Sequence, residues 1–184
     1  ERDDVVYLAS LLPLVQPFGA SIGIPLKNAV EQAVDEFNGE GGLPDGRKIV
    51  WLSCDSGGTP AITRRAMEHL TQTVRAPAII GPVFSENFLP AAQDAISAGT
   101  FIITPTATSP AIDNLHSGSD NFTWRNIASD VFQGAGFAAR VRELDASRIL
   151  VMAKGDKYGQ DLSAVITAEL LTELGAANLK VVEY

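Results

Sequence analysis

The segment FIITPTATSP, residues 101–110, opens as an apolar strand and closes in hydroxyls. Thr104, Thr106, Thr108 and Ser109 are interleaved with Pro105 and Pro110. The prolines restrain the backbone and remove two N–H donors, so hydroxyls and carbonyls are what this stretch can offer a ligand. Thr106 and Thr108 are two residues apart, which on an extended backbone turns both side chains to the same side. A capped turn leading into a short helix at SPAIDNL accounts for the same residues equally well. Ser85, in GPVFSEN, stands where a helix is expected to begin. Free backbone N–H groups and the helix dipole favour an anion there. The serine is also expected to serve as the N-cap, a role compatible with ligand contact.

No catalytic set accompanies these hydroxyls. The sequence holds no G-x-S-x-G elbow and no G-K-[ST] phosphate loop. His69, in a helical stretch, and His116, in a polar loop, belong to no triad or metal pattern and are expected at the surface. Cys54 is the only cysteine, which excludes a disulfide framework and a thiol redox pair. Its neighbours Ser53 and Asp55 supply no base, so a half-buried structural thiol is expected. GAGFAA, residues 134–139, matches G-x-G-x-x-A, but the helix those glycines should open has already begun at Asp130 to Gln133. Close helix packing is the expected role of Gly134 and Gly136. Neither a cofactor, nor a metal, nor an enzymatic activity is expected.

The elements that must position the hydroxyls follow from the apolar pattern. Of the 184 residues 46% are hydrophobic and 20% charged, a globular balance. With 14 basic and 22 acidic residues the net charge is −8, so neither nucleic acid nor an anionic membrane surface is an expected partner. No apolar run approaches the ~18 residues of a membrane span. No charged-then-apolar leader precedes Glu1, so any signal peptide is expected to have been removed or never to have existed.

Strands are expected at VVYLASLL, RKIVWLSC, PAIIG, TFIIT and FTWRNI, and helices at residues 25–38, 59–72 and 85–97, with Pro25 and Pro60 in the opening turns of the first two. In the first helix Leu26, Ala29, Val30, Ala33, Val34 and Phe37 form one face. The pattern then restarts with a helix over 130–144, where Asp130 and Gln133 have capping-box spacing. A strand RILVMA, a helix over 159–174 and a strand LKVVEY follow. Near-continuous apolar strands alternating with helices imply an α/β fold, a doubly wound, mostly parallel sheet with flanking helices. The elements after residue 128 either extend that sheet or begin a second lobe. The polar stretch 113–121 and the fresh start at Asp130 favour a partial second α/β lobe. The expected division is an N-terminal lobe over 1–125, a hinge crossover over 126–129 and the partial second lobe over 130–184. Ligands of such sheets sit outside the carboxyl ends of the strands. There lie the loops PLVQPFGASIG, DSGGTP, GPVFSEN and TPTATSP, all rich in Gly, Pro, Ser and Thr.

With these loops in view, the chain resembles the Leu/Ile/Val-binding family of periplasmic solute-binding proteins, the type I bilobed receptors that feed ABC importers. The resembling pieces are IPLKNAVEQAVDEFNGEGGLPDGRKI, CDSGGTP, IIGPVFSE, FIITPTATSPAI, FTWRNIASDVFQG and KGDKYGQD, in that order from the first strand to the end. The resemblance implies that Ser85 holds an amino-acid α-carboxylate, that the main chain at Thr106 contacts the ligand, and that Thr108 grips its ammonium and carboxylate. It places Tyr158 in the second lobe facing the cleft, with Phe18 and Ile22 near the ligand. It further implies a small-molecule ligand of the amino-acid type, a membrane permease as partner and a periplasmic or extracytoplasmic location, with a lipid anchor through a removed N-terminal segment as one route to it. A ligand-sensing domain of a signalling receptor with the same fold is the alternative. The sequence departs from the family at Val15-Gln16, where Thr-Gly or Ser-Gly is usual, and at Ile22, where tyrosine is common. One cysteine cannot make the disulfide of some members. By the same resemblance the second-lobe carboxylate for the ligand ammonium lies beyond Tyr184, and members are about twice as long. Three charge-assisted hydrogen bonds at about 1.5–3 kcal/mol each, set against at least ~4 kcal/mol of immobilisation, fall short of the ~8 kcal/mol of micromolar binding. Tight binding is therefore expected to need closure about residues 126–129.

Overall fold

The computed structural model describes residues 4–15, 17, 19–115 and 121–184. Phe18 and His116, named above, lie outside the described residues. Strand β1 (Val5–Leu12) is followed by α1 (Ala20–Gly39), β2 (Lys48–Asp55), α2 (Pro60–Glu68), β3 (Ala78–Ile80), α3 (Ser85–Ser97), β4 (Phe101–Thr104) and β5 (Thr123–Arg125). The five strands form one parallel sheet in the order β2-β1-β3-β4-β5. The strand order reverses between β1 and β3, the place where a doubly wound sheet opens a crevice. Gly81 marks that point: its φ is +104°, and a Cβ there would stand 2.2 Å from the Leu11 carbonyl oxygen. Only glycine lets the β3 exit run this close to β1.

The core lies where α2 and α3 cover the sheet. Leu11, Met67, Leu70, Ile79, Phe88, Ile102 and Ile112 are buried there together with the alanines of α3. Small Ala91, Ala92 and Ala95 let α3 approach the sheet, and Cys54 packs at the edge as a half-buried thiol whose acidity burial suppresses. The outer half of the α1 face is less covered than its pattern implies. Leu26, Val30 and Val34 are half-buried, whereas Ala29, Ala33 and Phe37 are exposed. The expected α2 run continues past Glu68 as a wide turn over His69–Thr73, with His69 exposed.

Three local expectations are corrected. Pro25 does not open α1 but lies inside it, as its sixth residue. The helix begins at Ala20 because Gly19, at φ +103°, turns the chain and its carbonyl takes the N–H groups of Ile22 (2.8 Å) and Gly23 (2.9 Å). Gly23 is required there, since a Cβ would meet the Pro13 carbonyl at 1.9 Å. Ser85 does not cap α3; Phe84 occupies the cap position and Ser85 is the first helical residue. The cap ahead of Asp130 is Ser129, whose hydroxyl accepts the Val131 N–H at 3.5 Å, so the capping box between Asp130 and Gln133 does not form.

Beyond Ser129 come α4 (Asp130–Glu143), β6 (Ile149–Ala153), α5 (Lys157–Leu174) and β7 (Leu179–Glu183). Strands β6 and β7 pair in parallel with each other and, among the described residues, with no strand of the first sheet. Helices α4 and α5 pack through Gly134, where a Cβ would stand 2.3 Å from Val165 Cγ1, and through buried Ala138, Ile166 and Leu170. Close packing thus explains Gly134 but not Gly136, whose added Cβ would meet nothing within 4 Å. Helix α5 starts two residues earlier than its apolar pattern because the Asp156 carboxylate accepts the Gly159 N–H at 2.9 Å and caps it.

Candidate functional site

The β4 exit is organised by a residue that faces no cavity. Thr104 is fully buried; its hydroxyl donates to the Pro82 carbonyl (2.7 Å) and accepts the N–H groups of Thr106 (3.3 Å) and Ala107 (3.0 Å). This turns the chain at Pro105-Thr106. The Thr106 hydroxyl donates to the Val83 carbonyl at 2.7 Å, and the Thr108 hydroxyl donates to Asp130 Oδ2 at 2.9 Å. The short helix at SPAIDNL also forms, as a 3-10 turn over Pro110–Leu115. The capped-turn reading of the decapeptide therefore holds.

Ser85 sits at the start of α3, buried, with its Oγ accepting the Ser109 N–H at 3.3 Å. That bond occupies an acceptor lone pair and leaves the hydroxyl proton for another partner. The first intrahelical acceptor, the Phe84 carbonyl, serves Asn87 (3.0 Å) and Phe88 (2.8 Å), so the N–H groups of Ser85 and Glu86 precede the helical ladder. One hydroxyl and two amide donors at a helix N-terminus make a setting for a carboxylate. Thr108 has the opposite polarity: its proton is committed to Asp130, which leaves it lone pairs that can accept from a ligand N–H.

A cavity of about 270 Å³ opens beside Ser85. Ile22 from the first turn of α1, Val83, Phe84 and Glu86 beside Ser85, and Thr106 from the β4 exit line one side. Lys154, Asp156 and Tyr158, from the exit of β6 and the start of α5, line the other. The cavity therefore lies between the carboxyl ends of strands from both sheets. Its volume is near the lower end of the ~300–1,000 Å³ of small-molecule sites, a fit for a compact ligand. Four residues singled out in the sequence, Ile22, Ser85, Thr106 and Tyr158, meet here. Thr108 is not among the residues that line this cavity; its hydroxyl is bonded to Asp130. Of the five additional lining residues, Lys154 and Asp156 could have been found by applying the strand-end rule to β6 as well as to the first four strands.

The far wall is charged. Lys154 Nζ is 2.5 Å from Asp156 Oδ2. The Asp156 hydrogen bond, the charge of Asp156 and that of Glu86 hold the ammonium above its ordinary value against the opposing effect of burial. Burial pushes the Asp156 carboxyl upward, but Lys154 and the Gly159 N–H outweigh it and leave it below its ordinary value. Asp130 differs. It is fully buried, its Oδ1 has no partner, and burial raises its pKa, with the Thr108 hydrogen bond opposing and the charge of Asp161 reinforcing the rise. A larger cavity of about 740 Å³ lies between α2 and α3, but Arg64 and Asp94 on its wall neutralise each other at 2.7 Å.

Two parallel α/β units thus face one small cavity with the carboxyl ends of their strands. The chain belongs to the periplasmic binding protein family, whose profile matches residues 5–184. Among relatives it is 28% identical over 167 residues to the Leu/Ile/Val-binding protein BraC3 of Rhizobium johnstonii, covering 90% of this chain and 44% of that one. It is 27% identical over 177 residues to the chemotactic signal transduction system substrate-binding protein BasB of Halobacterium salinarum, covering 94% and 43%. Two solved structures share the fold. One is the leucine binding protein LivK of Thermotoga maritima, with a TM-score of 0.83 at 24% identity, covering 98% of this chain and 49% of that one. The other is a solute binding protein of an ABC transporter from Rhodopseudomonas palustris in complex with 3,4-dihydroxybenzoic acid, at 0.79 and 18%, covering 98% and 47%. The chain spans less than half the length of the relatives it matches. Among the described residues no helix is long and apolar enough to cross a membrane.

Proposed function

We propose that this chain carries part of the ligand cleft of an extracytoplasmic solute-binding protein that delivers an amino acid, or a similarly small carboxylate, to the permease of an ABC importer. The observation that carries the reading is the cavity in which Ile22, Ser85 and Thr106 face Tyr158 across two sheets. Ser85 and the first amides of α3 take the carboxylate, Thr108 accepts from an ammonium, and Ile22, Val83 and Phe84 enclose an apolar side chain. The lobes divide at residues 126–129, and closure about that hinge buries the ligand. The protein binds without transforming its ligand. A removed N-terminal segment bearing a lipid anchor would keep it near the permease.

The relatives named for Leu/Ile/Val and for leucine support an amino acid. The neighbour bound to 3,4-dihydroxybenzoic acid widens the class to carboxylates that lack an ammonium. A thermal-shift titration of the full-length gene product against the twenty amino acids and a set of aromatic carboxylates tests this. A ligand at ~100 times its Kd adds about 2.7 kcal/mol of stability. A hit lost on Ser85→Ala supports the assignment, and silence across both sets overturns it. A sensory role is the second reading, favoured by the resemblance to BasB. Ligand-dependent stimulation of ATP hydrolysis by a reconstituted permease separates transport from sensing.

A further inference from the structure

Ser109 was not among the expected ligand contacts, yet it makes more hydrogen bonds than any other residue of its loop. It is fully buried. Its N–H donates to Ser85 Oγ at 3.3 Å, its carbonyl accepts from Arg125 Nη1 at 3.0 Å, and its Oγ accepts the Ala111 N–H at 3.1 Å. The remaining valence, the hydroxyl proton, goes to Asp161 Oδ2 on α5. The other Asp161 oxygen, Oδ1, is held by Lys157 Nζ at 2.6 Å, one turn earlier on the same helix. A side chain of the first-sheet unit is thus bonded directly to a helix that covers the second sheet.

Resting on the solute-binding reading, we propose that Ser109 and Asp161 form a latch that clips the β4–β5 loop to α5 and biases the two units toward the arrangement in which the cleft is assembled. Because the same residue holds Ser85 Oγ through its N–H, the latch also fixes the lone pair of the hydroxyl meant for the ligand, and Ser109 acts as a positioning residue. Two features make the latch releasable. Asp161 keeps Lys157 as a partner when Ser109 leaves, so opening does not strand a buried charge. The neighbouring Thr108–Asp130 bond brings a second carboxylate close enough for the two negative charges to repel each other, with Arg125 offsetting part of that repulsion.

The test uses the full-length gene product with Cys54→Ser and spin labels at two exposed helix positions, Asp35 on α1 and Ala168 on α5. Without ligand, Ser109→Ala and Asp161→Asn should each lengthen and broaden the label-to-label distance distribution, and the double variant should match the single ones. With L-leucine as probe, each single variant should release ligand about tenfold faster, the effect of one charge-assisted hydrogen bond that forms only in the assembled cleft. Distances that superimpose on the parent in both single variants overturn the latch, as does an additive double variant. The distance measurement does not depend on what the cleft binds. Changed distances with no leucine bound uphold the latch while counting against the amino-acid assignment.

Discussion

Asp130→Asn should stabilise the protein at neutral pH. The Asp130 carboxylate is fully buried at the first turn of α4, receives only the Thr108 hydroxyl on Oδ2 at 2.9 Å, and leaves Oδ1 without a partner. Burial raises its pKa above 3.8 in the fold. A raised carboxyl pKa means that the native state holds the proton more tightly than the unfolded chain. Stability is therefore lost as pH rises from the ordinary value through the folded one, and above the folded value the fold carries the cost of the buried charge. The carboxamide keeps an oxygen for Thr108 and removes the charge. An unsatisfied buried acceptor costs about 1–3 kcal/mol, more when charged. Taking ~2 kcal/mol, Tm should rise by about 4–8 °C for a domain of this size. Thermal melts of the parent and variant between pH 3 and 8 read this out. The gap should be widest near neutrality and shrink towards pH 3, where the aspartate is protonated in both states. A variant less stable than the parent at pH 7, or a gap that does not change with pH, refutes the reasoning.

Two other perturbations test separate parts of the structure. Gly134→Val should cost about 1–3 kcal/mol by forcing α4 away from Val165, whereas Gly136→Ala on the same helix should gain about 0.5–1 kcal/mol, because its added Cβ meets nothing; chemical denaturation distinguishes them, and equal effects would contradict the packing. Ser85→Ala should weaken binding of a carboxylate ligand by roughly 10–150-fold in calorimetry, the effect of one charge-assisted hydrogen bond, and a change below threefold would remove Ser85 from the site.

Strands β1, β3 and β4 were legible because each is a short, almost continuous apolar run, the pattern of a parallel sheet covered by helices. The start of α1 was not. Proline is a good opener of helices, so Pro25 drew the boundary, while the actual turn depends on Gly19 at positive φ and on Gly23 fitting against Pro13. Neither close approach has a local sequence signal. The same distinction runs through the cavity. Ser85 and Thr106 stood out as polar residues in a run of strand-end loops, whereas Lys154, Asp156 and Glu86 were not singled out. Only the meeting of the β6 exit with the start of α3 shows that they share a wall.

The fate of the decapeptide hydroxyls follows from the same folding. Thr104 is spent on shaping the turn, Thr106 on the Val83 carbonyl, Thr108 on Asp130 and Ser109 on Asp161. All four protons are therefore used within the protein. What the loop can offer a ligand is lone pairs, and the hydroxyl protons that line the cavity without a use in the loop are those of Ser85 and Tyr158 on its two walls. On the proposed reading, a cleft built this way would accept from a cation on the β4 side and donate to an anion at the α3 N-terminus. It would discriminate by the order of charges along the ligand, before any apolar pocket distinguishes its side chain. On the proposed reading, Asp130 would maintain that polarity by accepting the Thr108 proton and keeping it turned away from the ligand. Asp130→Asn should therefore separate the two effects: a fold that is more stable, and a Thr108 whose hydroxyl, bound to a weaker acceptor, discriminates less well between ammonium and carboxylate.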